Sequence, residues 1–324
     1  MVRFAIIGTN FITERLLDAA KLCDDFRLTT VYSRSLEKAQ QFAEQWGAEF
    51  ATDSLDAVAE SPDVDAVYIA SPNSSHAEQT IKMLKSKKHV LCEKPITWNS
   101  AQLAEMLCAA QENGVVLMEA MRSAHIPTLE LLGQSMEKIG PVRRCVLSYC
   151  QYSSRYDKFK AGVIENAFNP TLYNGALMDI GVYCVHMMVM LFGMPKEICA
   201  KGWFLPHSID AYGSAICSYD GMCVQLAYSK INQSNTPSEI QGEKGTIRFS
   251  PTATPYEVSI EYNDSTKEEL SFDVCRRDML YEIQEFIRIV HTGDSCNKWN
   301  DYSVMAMAVM DEMRRQIGID FTIQ

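Results

Sequence analysis

The chain has 324 residues, 47% hydrophobic and 22% charged, with 30 basic against 41 acidic residues and a formal charge of −11. That is ordinary globular composition with length for two hydrophobic cores, and basic residues that cluster only in short pairs such as Lys87-Lys88 and Arg143-Arg144 exclude the cationic face a nucleic-acid partner needs. No apolar run is read as reaching the ~18 to 20 residues that cross a bilayer, and Met1-Val2-Arg3-Phe4 leads into a strand without a cleavable leader, so no membrane partner and a cytoplasmic location are expected.

The first third alternates short β-branched runs with amphipathic stretches, which marks β-α-β units around a parallel sheet. Strands are predicted at Arg3–Ile7, Arg27–Tyr32, Ala66–Ala70, His89–Leu91 and Val115–Met118. Helices are predicted at Glu14–Leu22, Leu36–Trp46, His76–Ser86 and Ala101–Glu112, the second from apolar residues at Leu36, Ala39, Phe42, Ala43 and Trp46. This gives an α/β, doubly wound, Rossmann-type domain over residues 1–122. Beyond Arg122 the rhythm becomes that of a large, mostly antiparallel, open-faced sheet. Its strands are Val142–Tyr152, Glu197–Phe204, Tyr212–Tyr219, Met222–Lys230, Gly245–Phe249, Val258–Tyr262 and Glu268–Phe272, with Asp220-Gly221 as a hairpin turn. Two helices, Asp278–His291 and Tyr302–Gln316, close an α+β domain over residues 123–324, and a return of helix 302–316 to the first domain is left open. The 11 cysteines contain no C-x-x-C pair and read as reduced thiols with no metal site. With no flexible linker in view, a ligand is expected in a cleft between the domains.

Gly8-Thr9-Asn10-Phe11-Ile12-Thr13 follows the first strand and opens a helix, where a dinucleotide fold aims backbone N–H groups at a pyrophosphate. Only the first glycine of G-x-G-x-x-G remains; Asn10 and Thr13 replace the others, and an ordinary strand-to-helix turn competes with the nucleotide reading. Asn10 is expected there because asparagine tolerates left-handed backbone. Ser33 and Arg34 end the second strand, where a hydroxyl and a guanidinium suit the 2′-phosphate of NADP better than the ribose of NAD; a solvated arginine is the alternative. Ser71-Pro72-Asn73 with His76 and Glu93-Lys94-Pro95 end later strands at the same sheet edge. Asn73 equally fits a helix cap, and Lys94 equally a surface lysine.

A helix is predicted from Ala176 to Phe192, with Leu177, Ile180, Cys184, Met187 and Leu191 as its core stripe. Asp179, Tyr183 and His186 fall on a neighbouring face and together read as a site, although each alone fits a satisfied core polar group.

Ile7-Gly8-Thr9, Ala70-Ser71-Pro72-Asn73 with His76, Glu93-Lys94-Pro95 and Gly175-Ala176-Leu177-Met178-Asp179-Ile180-Gly181-Val182-Tyr183 occur in this order. The whole chain thereby resembles the glucose–fructose oxidoreductase, inositol dehydrogenase and rhizopine-catabolism (Gfo/Idh/MocA) family. Ser33-Arg34 with Met118-Glu119-Ala120-Met121-Arg122 is similar to the branch of dihydrodiol dehydrogenases and NADP-dependent xylose dehydrogenases. The resemblance implies Lys94 as active-site lysine, Asp179 as the carboxylate opening the substrate helix and Tyr183 as acid/base. It implies Glu93 as a residue that helps position the cofactor or Lys94, Arg122 beside the cofactor, and His186 as a pocket residue only.

The expected activity is NADP-dependent oxidoreduction of a sugar, polyol or vicinal diol, with NADP favoured over NAD. Lys94 would steady an alkoxide and favour the Tyr183 phenolate, and Tyr183 would move the proton. Asp179 would hold the lysine or a substrate hydroxyl. Arg155 and Tyr156 are candidate pocket residues, as are Lys158, Trp203 and His207. The alternatives are a catalytically silent nucleotide-sensing regulator on the same fold, and a redox-assisted lyase or glycosidase with retained cofactor. An uncovered sheet face suggests a homodimer or a dimer of dimers.

Overall fold

The computed structural model describes residues 1–270, 273–294 and 296–322. The chain gathers into two compact units, Met1–Arg122 with Cys275–Val304 and Ser123–Val274 with Met305–Gln324.

The first unit winds β1 (Val2–Ile7), α1 (Phe11–Ala20), β2 (Phe26–Tyr32), α2 (Leu36–Trp46), β3 (Phe50–Thr52), α3 (Leu55–Glu60), β4 (Ala66–Ile69), α4 (His76–Lys85), β5 (His89–Glu93), α5 (Ser100–Asn113) and β6 (Leu117–Ala120). The strands stand in the order β3-β2-β1-β4-β5-β6 and every pairing is parallel. The winding direction reverses between β1 and β4, the crevice where such sheets bind ligands. All residues of β4 and β6 are buried, as expected for strands covered on both faces. Helix α2 shows why its bounds were readable: Ser35 Oγ accepts from Lys38 N at 3.4 Å, Ala39, Phe42 and Ala43 face inward, and Gly47 ends it. The short pair β3 and α3 went unpredicted because it offers no periodic stripe, and Phe50 is half exposed.

Two short helices, α6 (Arg122–His125) and α7 (Pro127–Ser135), lead to β7 (Val142–Cys150), and then to α8 (Tyr156–Lys160). A π-helical turn, Leu177–Gly181, runs into α9 (Val182–Phe192). There follow β8 (Glu197–Leu205), β9 (Ile209–Tyr219), β10 (Met222–Ser229), β11 (Ser238–Gly242), β12 (Gly245–Ser250), β13 (Glu257–Tyr262) and β14 (Lys267–Glu269). These make an eight-stranded sheet, β14-β13-β12-β11-β7-β10-β9-β8, antiparallel except for β7 with β10. Asp220-Gly221 is the expected hairpin, with Tyr219 opposite Met222. The expected strand Glu268–Phe272 is shorter, and its last two residues lie outside the described residues. Helix α9 packs on β7 and β10 and is buried from Val182 through Val189. By length and mean hydropathy Pro170–Phe192 reaches what a bilayer needs, contrary to expectation, but 78% of that window is buried inside the protein and it carries the Asp179 ion pair described below. It is a core helix.

The expected domain boundary needs correction at its far end. Of the closing helices, α10 (Met279–Thr292) and α11 (Lys298–Ile317), the first belongs to the first unit. Its Met279, Leu280, Ile283, Phe286, Ile287 and Ile289 join one core with Val2, Phe4, Ile6, Leu16 and Tyr68. The apolar face of the parallel sheet beside α1 would otherwise be bare, and burial of such a face is the main drive for folding. The unit boundary falls within α11, whose Gln316 accepts from Ala200 N at 2.8 Å and donates to Ile198 O at 2.7 Å. That satisfies the free edge of β8.

Phe286 is fully buried, with its ring 5.8 Å from that of Phe4. Phe286→Ala is expected to cost ~3 to 5 kcal/mol, read as a lowered urea midpoint of the full chain. A loss below ~1 kcal/mol would mean that α10 is not part of this core.

Candidate active site

At the end of β1 the backbone turns at Gly8 with φ +109°, and a Cβ there would lie 2.6 Å from the Ala70 carbonyl oxygen. Only glycine fits. The expected left-handed role for Asn10 is replaced by another: its backbone is extended, and its carboxamide oxygen accepts from Ile12 N at 3.0 Å and Thr13 N at 3.3 Å. The same carboxamide donates to Ala70 O at 2.7 Å, and Thr13 Oγ1 donates to Gly8 O at 2.9 Å. Asn10 and Thr13 thus close the loop through side chains where glycines would close it by backbone proximity. Thr9 and Ile12 are half-buried beside it and Phe11 is exposed.

Ser33 and Arg34 end β2 as expected. Ser33 Oγ accepts from Ser35 N at 3.4 Å, and Arg34 is exposed with no ion pair among the described residues. At the end of β4, Ser71 donates to Gln79 Oε1 at 2.7 Å, and Asn73 begins a 3-10 turn after Pro72. His76, expected at the cofactor, is 1% exposed and sits 2.9 Å from both the Pro95 and the Ser71 carbonyl oxygens. With both ring nitrogens engaged it braces the two loops. Burial lowers its pKa, against the opposite pull of those carbonyls.

Lys94 follows the buried Glu93, and the Lys94–Pro95 peptide is cis. Glu93 accepts from the Tyr68 hydroxyl at 2.7 Å and from Lys94 N at 3.2 Å, so it grips the lysine's backbone. Burial raises the Glu93 pKa. Glu119 on β6 accepts from Ile96 N at 2.9 Å and Ser303 Oγ at 2.6 Å, which fixes the far side of the same turn. Arg122 pairs with Asp278, whose side chain is 2% exposed and whose other oxygen accepts from Arg15 at 2.9 Å. The Arg122 guanidinium therefore meets a buried carboxylate at the start of α10. A surface cavity of about 530 Å³ lined by Phe11, Arg15, Trp46, Arg276 and Asp278 shares only Phe11 with the expected cofactor residues.

In the second unit, Asp179 lies on the π turn and its carboxylate meets Lys230 Nζ at 2.8 Å. Sequence reasoning missed Lys230, which follows β10 and is 4% exposed; its ammonium also donates to Ala167 O and stands 4.7 Å over the Phe168 ring. An ionisable residue ending an apolar strand was the available signal. Tyr183 is buried with its ring edge-on to Tyr149 at 5.6 Å, and His186 is buried on the same helix. Arg155 lies 3.7 Å from Glu165, and Tyr156 stacks on Phe168 at 6.0 Å. The ring that carries the Tyr156 stack therefore also lies under Lys230, which holds Asp179.

The chain as a whole is matched by known proteins. Residues 2–121 match a family model described as oxidoreductase family, NAD-binding Rossmann fold, and residues 135–248 match the Gfo/Idh/MocA C-terminal domain. The chain is 47% identical over 98% of its length, and 98% of the relative's, to scyllo-inositol 2-dehydrogenase (NADP(+)) of Bacillus subtilis. It is 29% identical, over 92% of both chains, to trans-1,2-dihydrobenzene-1,2-diol dehydrogenase of Xenopus tropicalis. The solved structure of a 3-ketoreductase from Actinomadura kijaniata with NADP and TDP-benzene is 26% identical, covers 98% of both chains and superposes with a TM-score of 0.88. Two matched family domains and a relative at nearly half identity across the full length leave one assignment: the chain belongs to the Gfo/Idh/MocA family of oxidoreductases.

Proposed function

We propose that this chain is an NADP-dependent dehydrogenase or reductase acting on a carbinol carbon of a cyclic polyol, sugar or vicinal diol. The observation that carries the reading is the set of groups at one sheet edge: Gly8 without room for a Cβ, Ser33 with an exposed Arg34 that has no ion pair among the described residues, and Lys94 gripped through Glu93. The residues that would hold the dinucleotide are Gly8 through Ile12, Ser33, Arg34 and Ser71 through Asn73. When bound, the nicotinamide supplies hydride exchange.

The chain's own part is oxygen and proton chemistry. The Lys94 ammonium stabilises negative charge developing on the substrate oxygen. Tyr183, a phenol on a rigid buried helix, moves the hydroxyl proton. Asp179 orients a second substrate hydroxyl, which suits polyols and diols, and the named substrates of the Bacillus and Xenopus relatives share that feature. The side-chain closure of the loop by Asn10 and Thr13 supports a working nucleotide site despite the two missing glycines.

The outer face of the second unit's sheet presents Val146, Trp203 and Ile216, with Trp203 and Ile216 about half exposed. Burial of this face against a second copy makes the protein a homodimer or dimer of dimers. Sedimentation at micromolar concentration is expected to give more than one chain, and Ile216→Lys to shift the population toward single chains. A wild-type monomer at that concentration removes the proposal.

Arg34→Ala is expected to weaken NADP binding about 10- to 150-fold, the equivalent of ~1.5 to 3 kcal/mol for a charge-assisted hydrogen bond, with little change for NAD. Equal weakening of both would end the 2′-phosphate assignment.

With scyllo-inositol as the first probe, followed by a panel of sugars and diols, Lys94→Met and Tyr183→Phe are each expected to lower kcat ~10²- to 10⁴-fold. NADP affinity should change little, and the double variant should lose less than the product because residues that act as one unit are not additive. Wild-type turnover in both single variants would refute these roles.

A further inference from the structure

Helix 177–192 begins without a cap of its own, because Ala176 stands at the capping position and offers no side-chain acceptor. The missing acceptor comes from another element. Asp210, the second residue of β9, is 2% exposed, and its Oδ2 accepts from Leu177 N at 2.7 Å; the Ala176 N–H also bonds it. The approach is so close that a Cβ on Gly175 would fall 1.5 Å from Asp210 Oδ1. That explains the glycine opening Gly175-Ala176-Leu177-Met178-Asp179. One turn on, Lys230 holds the Asp179 carboxylate with an ammonium that also engages Ala167 O and the Phe168 ring. Lys230 is joined to the same strand as Asp210, since its N–H donates to Ala211 O at 2.9 Å.

We propose that Asp210 and Lys230 are positioning residues for the reaction: Asp210 anchors the start of the helix that carries Asp179 and Tyr183, and Lys230 fixes the Asp179 carboxylate. The proposal rests on the reading that Asp179 and Tyr183 act on substrate. Neither anchor needs to touch substrate. A carboxylate facing the first N–H groups of a helix is favoured by the helix dipole, and an N-terminal turn of π geometry has its N–H groups spread more widely than an α-turn, so an external acceptor sets where the turn lies. The charged and titratable groups facing Asp210 are Tyr228 and Lys230 from the β10 side, with Asp179 behind Lys230. Burial pushes the Asp210 carboxyl up to about 6, against the pull of Leu177 N–H and Lys230. Protonation therefore removes the anchoring charge as pH falls through that value.

The test uses the full-length enzyme with NADP and scyllo-inositol. Asp210→Asn and, independently, Lys230→Met are each expected to lower kcat about 10- to 100-fold, the scale on which small misplacements act. KM for NADP should stay within about twofold, because the anchors act through the helix. In a Tyr183→Phe background Asp210→Asn should cost less than about threefold, and in an Asp179→Asn background Lys230→Met should cost less than about threefold, since each acts through a group already removed. Amide exchange over residues 177–186 should accelerate in Asp210→Asn. The wild-type kcat should fall as pH drops through about 6, and this limb should vanish in Asp210→Asn; the wild-type half of that measurement stands even where a variant folds poorly. Unchanged kcat with unchanged exchange overturns the proposal, as does an equal loss in the wild-type and variant backgrounds or a limb that persists in Asp210→Asn. Wild-type turnover by Tyr183→Phe alone would instead sink the catalytic reading. Amide exchange would then decide by itself whether Asp210 anchors the helix.

Discussion

The passage of Gly8 beside the Ala70 carbonyl is the constraint from which the first unit's functional edge follows. The carbonyl belongs to the residue just past β4, and Ala70 N donates to Ile7 O at 2.8 Å, so the ends of β1 and β4 are drawn together at the point where the sheet reverses its winding. A side chain at Gly8 would push them apart. Because they are together, Asn10 reaches Ala70 O, caps α1 and turns the positive end of the helix toward the crevice. The turn carrying Ser71, Pro72 and Asn73 starts from the same carbonyl, and His76 carries the order on to Pro95. The loop therefore tolerates asparagine and threonine at its second and third glycine positions, where no close backbone approach is involved, and would not tolerate alanine at the first.

Beneath Lys94 the first unit holds an unusual amount of buried charge. Glu93, Glu282 and Asp278 are all below 7% exposed, with Tyr68 fully buried among them. Desolvation penalises each ionised carboxyl, and two neighbouring carboxyls cannot both ionise without a further cost. The arrangement separates their roles. Asp278 keeps its charge company with Arg15 and Arg122. Glu93 accepts two hydrogen bonds. Glu282, whose carboxyl oxygens find no hydrogen bond among the described residues, has its pKa driven well above the carboxylate range by burial and by Glu93. Burial and the neighbouring Glu93 carboxyl thus work against ionisation of Glu282, while Glu93 keeps its grip on the Lys94 backbone.

Local signals carried the fold a long way. Leu36–Trp46 was legible because cap, stripe and stop all lie within the segment, and Asp220-Gly221 because two residues define the turn. What escaped depends on distant partners. Nothing within Met279–Thr292 says that it covers the N-terminal sheet, since its apolar face would fit either core. The strand Ser238–Gly242 was missed because Glu239 and Gln241 alternate with only Ile240 as a large apolar residue, and its pairing with β7 and β12 supplies the rest. Among the proposed catalytic groups, Lys94, Asp179 and Tyr183 were visible as reactive types in patterned places. Nothing local to His76 says that its ring lies against the Ser71 and Pro95 carbonyls, and Asn10 was credited with a backbone tolerance it does not use. Asp210 gave no local signal and Lys230 only that of an ionisable residue ending an apolar strand, for a physical reason: their partners lie 33 and 51 residues away in the chain.

Those two separations also show where the precision of the second unit originates. Asp210 and Lys230 sit at the open end of the β9–β10 hairpin, whose pairing runs from Tyr219 with Met222 to Tyr212 with Ser229 without a bulge. A two-residue turn fixes that register. Side chains alternate faces along a strand, so a slip of one residue would carry Lys230 away from Asp179 and offset Asp210 from Leu177 N. The turn at Asp220-Gly221, at the far end of both strands, therefore determines how the helix start and the Asp179 carboxylate are held. Rigid sheet geometry does here what a local cap would do elsewhere, and because the strands are ordered on folding, little further ordering is left for the substrate to bring about.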